Sequence, residues 1–162
     1  MGCEMNHCLK ENENIFVIMA ADIFSEEQRS YVMSRVASKN TKPELIVRSY
    51  LHGLGFRFRI HGRNLPGRPD IVLPKHRCVI FVNGCFWHRH KDCPRASMPS
   101  TRVGFWQSKF ERNVSRDQKN LCLLEKAKWK VFLVWECEID KISHREVKLQ
   151  ELVSEILQPS TT

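Results

Sequence analysis

Ten residues, Gly84 to Cys93, hold two aromatics, two histidines and two thiols. Cys85, His90 and Cys93 follow one another with four and then two residues between them, the spacing of half a zinc site. Zn²⁺ favours thiolate and imidazole donors, and a structural site closes at four ligands. The best remaining donor is Cys137, which follows the apolar run Val131-Phe132-Leu133-Val134-Trp135 and can be carried back to the other three by a core strand. Isolated cysteines and histidines are more often buried thiols and core imidazoles. Three so close together, with a fourth at a strand end, point instead to a metal knot. His88 is left over beside it.

Asp70 follows Pro69 and opens a strand. Its carboxylate is expected to project from the sheet edge toward solvent, where it and a neighbouring main-chain carbonyl can hold a hard cation such as Mg²⁺. An aspartate after proline is by itself commonly a turn former. With a histidine just past the next strand and a basic surface, however, it makes a workable phosphodiester hydrolase, the metal acting as Lewis acid and His88 as base for water.

The elements that must position these groups belong to a chain of 162 residues, long enough to bury one core without disulfides. Its 26 lysines and arginines against 18 acids leave a charge of +8, with basic stretches such as Arg57-Phe58-Arg59 and His61-Gly62-Arg63. Polyanions are natural partners of such a surface, although a merely basic soluble protein shares the charge. Seven cysteines, with no Lys/Arg-led signal peptide before them, fit a reducing, cytoplasmic setting. Residues 1–24 read as a disordered extension: Met1 to Asn14 is polar and carries Cys3, His7 and Cys8, and Ile15 to Ala21 is too short to span a bilayer. Met19 is an alternative start. One domain is expected over 25–157, with 158–162 as a tail.

Ser25 followed by Glu26 and Glu27 caps a helix through about Ala37, and Thr41-Lys42-Pro43-Glu44 starts a second that closes near Gly53 and Gly55. Phe56 to Ile60 alternates at period two, as a half-buried strand does, with arginine on its polar face. Leu65 to Pro69 is a turn. Asp70–Leu73 and Cys78–Val82 are short strands joined through Pro74 to Arg77, the second more central. From Val103 to about Lys128 the apolar positions recur at helical spacing, with room for a break near Asn113. Trp129–Trp135 returns as a strand, and Arg145–Leu157 is an amphipathic helix. The order ααβββαβα is α/β, a mixed sheet between helices.

Four motifs in order, Pro66-Gly67-Arg68-Pro69-Asp70, Gly84-Cys85-Phe86-Trp87-His88-x-His90, Asn113-Val114-Ser115-Arg116-Asp117 and Val134-Trp135-Glu136-Cys137, resemble the very short patch repair endonucleases. These bacterial enzymes nick DNA beside a thymine mispaired with guanine. The resemblance runs from about Ser25 to Ile139. It implies a restriction-endonuclease-like fold, a mixed β-sheet flanked by helices with a structural zinc site, and Mg²⁺-dependent cleavage. Position by position it implies Asp70 and the Val82 main-chain carbonyl on Mg²⁺, Glu44 near that metal through water, His88 as the catalytic histidine and Asp117 as its orienting carboxylate. Cys85, His90, Cys93 and Cys137 match the Zn²⁺ ligands. Asp117 also lies in a charged helical stretch where a solvated i,i+4 partner is ordinary, and Glu44 also completes a capping box with Thr41. The interval from His90 to Cys93 is one residue longer than in the familiar form, so the loop bulges or Asp92 competes as an oxygen ligand. Phe81-Val82-Asn83 stands where the wider superfamily has Glu-x-Lys, which fits the repair subgroup.

In the family the aromatics matching Phe86 and Trp87 wedge into the base stack beside the mismatch, and a residue matching Met33 enters from the other groove. Unstacking costs roughly a few kcal/mol per step, least at a mismatch, so a wedge senses one. In a core the same aromatics would be routine. Arg57, Arg59, Arg63, Lys109 and Arg112 are candidate phosphate contacts, or a solvated basic face. The resemblance thus implies a monomer that cuts double-stranded DNA 5′ to the thymine of a T·G mismatch, repairing deaminated 5-methylcytosine, with mismatch-repair proteins as further partners and no membrane. The alternatives are a restriction-type or junction-cleaving nuclease indifferent to mismatches, and a zinc-bearing DNA-binding module without catalysis.

Overall fold

The computed structural model of the protein describes Ser25, Gln28, Tyr31, Arg35 and residues 39 to 159. The segment before Ser25, with Cys3, His7, Cys8 and Met19, lies outside them, as do Met33 and residues 160–162. Of the first expected helix, the described part shows its cap: the Ser25 amide donates to Gln28 Oε1 at 3.0 Å and the Gln28 amide to Ser25 Oγ at 3.2 Å. The chain divides into units between Val36 and Ala37, and every element named below belongs to the second.

Eight α-helices and β-strands follow in order over residues 39–159: α1 (Lys42–Gly53), β1 (Arg59–Ile60), β2 (Ile71–Leu73), β3 (Cys78–Asn83), α2 (Val103–Lys126), β4 (Lys130–Trp135), α3 (Glu136–Asp140) and α4 (Ile142–Leu157). The sheet order is β1-β2-β3-β4; the first three strands pair antiparallel, and β4 runs parallel to β3 after the crossover through α2. This is the mixed α/β sheet expected. Both faces are covered, which is why all of β2 is buried and its sequence does not alternate. Ile71, Leu73 and Ile80 pack with Val47 and Leu51 of α1, Ile139 of α3, and Leu149, Leu152 and Ile156 of α4. Val72 and Val79 face the other way, onto Leu124 of α2.

Strand ends shift by one residue at β2, β3 and β4, and four larger features differ from expectation. Phe56 to Ile60 pairs only at Arg59 and Ile60, because the Phe56 amide donates back to Leu51 at 3.0 Å over Gly55 (φ 84°) and so closes α1. Helix α2 runs without a break at Asn113: the side-chain Nδ2 of this residue donates sideways to the Trp87 carbonyl at 3.2 Å instead of competing with the helix backbone. Short α3 was not foreseen, and α4 begins at Ile142 rather than Arg145. Five residues are too few for helical periodicity to show.

Candidate active site

The register of β3 on β4 sets Asn83 beside Trp135, so both strands end together. Cys85 and Cys137 each follow two residues later, and this brings them together across 52 positions of sequence, the difference of their numbers. The donor atoms of Cys85, His90, Cys93 and Cys137 all lie within 4.8 Å of one another. His90 Nδ1 stands 3.7 Å from the Cys85 sulfur and 3.3 Å from that of Cys137. A tetrahedral Zn²⁺ with the usual bond lengths sets such edges at about 3.6 Å, so the donor set fits that ion. Burial first, then neighbouring Cys85 and Cys93, push the Cys137 thiol up to about 12, so a bound cation is what favours its thiolate. Asp92 is not in the group; it occupies the left-handed region (φ 56°), and the extra residue of the loop is accommodated there. The His90 ring stacks on Trp135, centroids 4.1 Å apart and 5° from parallel. Arg95 ties the loop to α3 through Asp140 at 2.6 Å.

His88 lies in the same turn, its amide donating to Gly84 at 3.2 Å. Helix α2 carries Asp117 to it: Nδ1 and Oδ2 are 2.6 Å apart, with side chains 28 % and 27 % exposed. An ionised carboxylate only accepts, so Nδ1 carries the proton and Nε2 is left to take one. Partial burial pushes the Asp117 carboxyl up, but the bond from His88 and the Arg116 guanidinium at 3.1 Å outweigh it and hold it below the ordinary value. Beside the pair, between α2 and the sheet, opens a cavity of about 510 Å³ lined by Asn83, Phe81, Leu133 and Trp135 among others.

Asp70 does not face solvent as expected. It stands one residue before β2, an internal strand, and is half-buried, with Oδ2 accepting the main-chain amide of Val82 at 2.8 Å. Burial raises the Asp70 carboxyl above its ordinary value; the Val82 bond opposes this and the Glu44 charge adds to it. The preceding turn requires Gly67, left-handed at φ 71°, where a Cβ would come within 3.1 Å of Phe81 and Asn120. Glu44 is 3 % exposed and accepts from the amides of Asn40 and Thr41, the Thr41 hydroxyl and, at 2.6 Å, Arg48. The helix cap and the position beside Asp70 are thus properties of one side chain. Glu44, His61 and Asp70 bring their donor atoms within 4.8 Å of one another. Sequence reasoning missed His61 and Arg48 here. Arg48 had a legible signal, four residues after Glu44 on one helix face; His61 was read only as part of a basic stretch.

Phe86 and Trp87 belong to an aromatic block on α2. Phe86 meets Trp87, Trp106 and Phe110 edge-on at 5.1 to 5.4 Å, and Lys109 Nζ lies 5.0 Å over Trp87 and 5.4 Å over Trp106. Both Phe86 and Trp87 stay half-buried, and Phe105 at the rim is exposed. Trp106, on the first turn of α2, joins the block through Phe86 and Phe110. Arg57, Arg59, Arg63 and Arg112 are exposed. No helix among the described residues is long and apolar enough to cross a membrane.

Residues 21–95 match the family model described as DNA mismatch endonuclease Vsr. The chain is similar to the type II nicking enzyme V.XorIIP of Xanthomonas oryzae pv. oryzae, 46% identical over 139 residues, or 86% of this chain and 98% of that protein. It is similar to the type II nicking enzyme V.NmeAIP of Neisseria meningitidis serogroup A, 44% identical over 83% of this chain and 96% of that one. It is also similar to the DNA mismatch endonuclease Vsr of Escherichia coli, 40% identical over 85% of this chain and 86% of that one.

Proposed function

The chain belongs to the DNA mismatch endonuclease Vsr family and is a DNA endonuclease, and from that premise we propose that it nicks DNA 5′ to the thymine of a T·G mismatch. The observation that carries the chemistry is the 2.6 Å contact of His88 with Asp117, made at the end of the strand whose Val82 amide holds Asp70. His88 Nε2 takes the proton from the attacking water, and Asp117 holds the tautomer and steadies the charge that the ring acquires. Asp70 and the Val82 carbonyl hold Mg²⁺, with Glu44 behind them through water. An extended residue directs its N–H and C=O to the same side, so that carbonyl leaves the strand toward Asp70. A divalent cation there supplies charge neutralisation on the phosphate and stabilises the leaving oxygen.

Zn²⁺ in the Cys85, His90, Cys93 and Cys137 knot serves as a structural staple that sets the His88 turn. Phe86 and Trp87 form the wedge, with Met33 from the other groove, and Arg57, Arg59, Arg63, Lys109 and Arg112 contact phosphates. The protein acts as a monomeric domain over 25–157 in the bacterial cytoplasm, repairing deaminated 5-methylcytosine. Relatives named type II nicking enzymes favour a second reading, in which sequence alone directs the nick. End-labelled duplexes identical except for T·G or T·A at one position, incubated with Mg²⁺ and wild type or His88→Ala, decide between them. A nick confined to the thymine strand of the mismatch and lost in the variant is expected; equal nicking of both duplexes establishes the second reading.

A further inference from the structure

His61 stands beside Asp70 and Glu44. The ladder pairs Arg59 with Val72 and Ile60 with Ile71, so the next position sets His61 opposite Asp70, where side chains share a face. The main chain holds this arrangement past the end of the strand: the His61 amide donates to the Asp70 carbonyl at 3.3 Å, and the Gly62 amide to Pro69 at 2.9 Å. His61 itself stands in the left-handed region at φ 51°. Its imidazole accepts or donates no hydrogen bond among the described residues, while a nitrogen of that ring lies within 4.8 Å of carboxylate oxygens of both Asp70 and Glu44. Glu44 already accepts from four donors, one of them Arg48, so it contributes charge more than a direct coordination position. Asp70 has one oxygen on Val82 and the other without a hydrogen bond among the described residues. The open side-chain donors, beside the Val82 carbonyl, are therefore one carboxylate oxygen and one imidazole nitrogen.

We propose that His61 and Asp70 together form a mixed nitrogen and oxygen cation site, which makes this chain bind first-row transition cations such as Mn²⁺ in preference to Mg²⁺. Mg²⁺ prefers an all-oxygen shell, whereas imidazole raises affinity along the transition series. The inference rests on Asp70 being the cation ligand of the hydrolytic site.

The test is Mn²⁺ titration of the full chain with its cysteine knot loaded, read from the electron paramagnetic resonance signal of free Mn²⁺, with Mg²⁺ as competitor. Wild type is compared with His61→Asn, which tolerates the left-handed backbone, with His61→Gln and with Asp70→Asn, each checked for folding by circular dichroism. Removing the imidazole is expected to weaken Mn²⁺ about tenfold or more while leaving the Mg²⁺ competition constant nearly unchanged, and Asp70→Asn to abolish both. Unchanged Mn²⁺ affinity in the folded His61 variants, with binding lost in Asp70→Asn, overturns the role of His61 alone. Binding retained in Asp70→Asn overturns the reading of Asp70 as well.

Discussion

His88 Nδ1 and Asp117 Oδ2 stand 2.6 Å apart across 29 positions of sequence. One belongs to the turn after β3 and the other to the middle of α2, so the pair exists only because the helix packs back over the sheet beside the turn. Replacing Asp117 by Asn removes the charge and offers Nδ1 an N–H donor, which favours the other tautomer, with the proton on Nε2. Nicking is expected to fall about a hundredfold or more, with DNA binding nearly unchanged. Because the native carboxyl is held below its ordinary value, its contribution to stability is present above that value and is lost as pH falls through the native one. Asp117→Asn should therefore lower the melting temperature at pH 7 and not in strong acid, as thermal unfolding at the two pH values will show.

Asp70 carries the opposite sign. Burial raises its carboxyl, so ionising it costs the fold stability as pH rises through the native value. Asp70→Asn keeps an oxygen for the Val82 amide and is expected to melt higher than wild type at pH 7 without Mg²⁺, the gap closing below about pH 4 where both states are protonated. Cleavage in the same variant should drop by about three orders of magnitude, the loss of several kcal/mol of cation stabilisation.

The cysteine knot joins the loop after β3 to α3. Metal analysis of protein never exposed to chelator is expected to give one Zn²⁺ per chain; a ratio near zero sinks the assignment. Cys93→Ser should lower the melting temperature by more than about 5 °C and reduce activity, whereas Asp92→Asn should do neither.

Asn113 anchors the Trp87 carbonyl to α2. Asn113→Ala leaves that carbonyl unpaired, at a cost of about 1 kcal/mol. Far-ultraviolet circular dichroism should show α2 intact, and single-turnover kinetics a slower nick from a looser His88 turn.

Lys109 lies over Trp87 and Trp106 at the edge of the aromatic block. Lys109→Ala is expected to weaken binding to matched and mismatched duplexes alike and to reduce the slope of log affinity against log salt by about 1. A loss confined to T·G duplexes would place Lys109 in mismatch recognition instead.

Much of this was legible in the chain alone, because it rests on local chemistry. Thr41, Pro43 and Glu44 start α1 by satisfying its free amides within four residues, and the apolar runs at Cys78–Val82 and Val131–Trp135 admit little but buried strands. The types and spacing of Cys85, His90 and Cys93, with Cys137 at a strand end, already marked out the four donors that the fold gathers within 4.8 Å of one another. What the sequence could not decide were relationships whose energy comes from distant partners. Asp70 turns inward because Val82 across the sheet needs an acceptor; Asn113 stays helical because the Trp87 carbonyl takes its side-chain N–H. His61 looked like part of a basic stretch until the β1 and β2 register set it opposite Asp70. Periodicity reports which face of an element is buried, but only strand register and helix packing decide which side chains meet there.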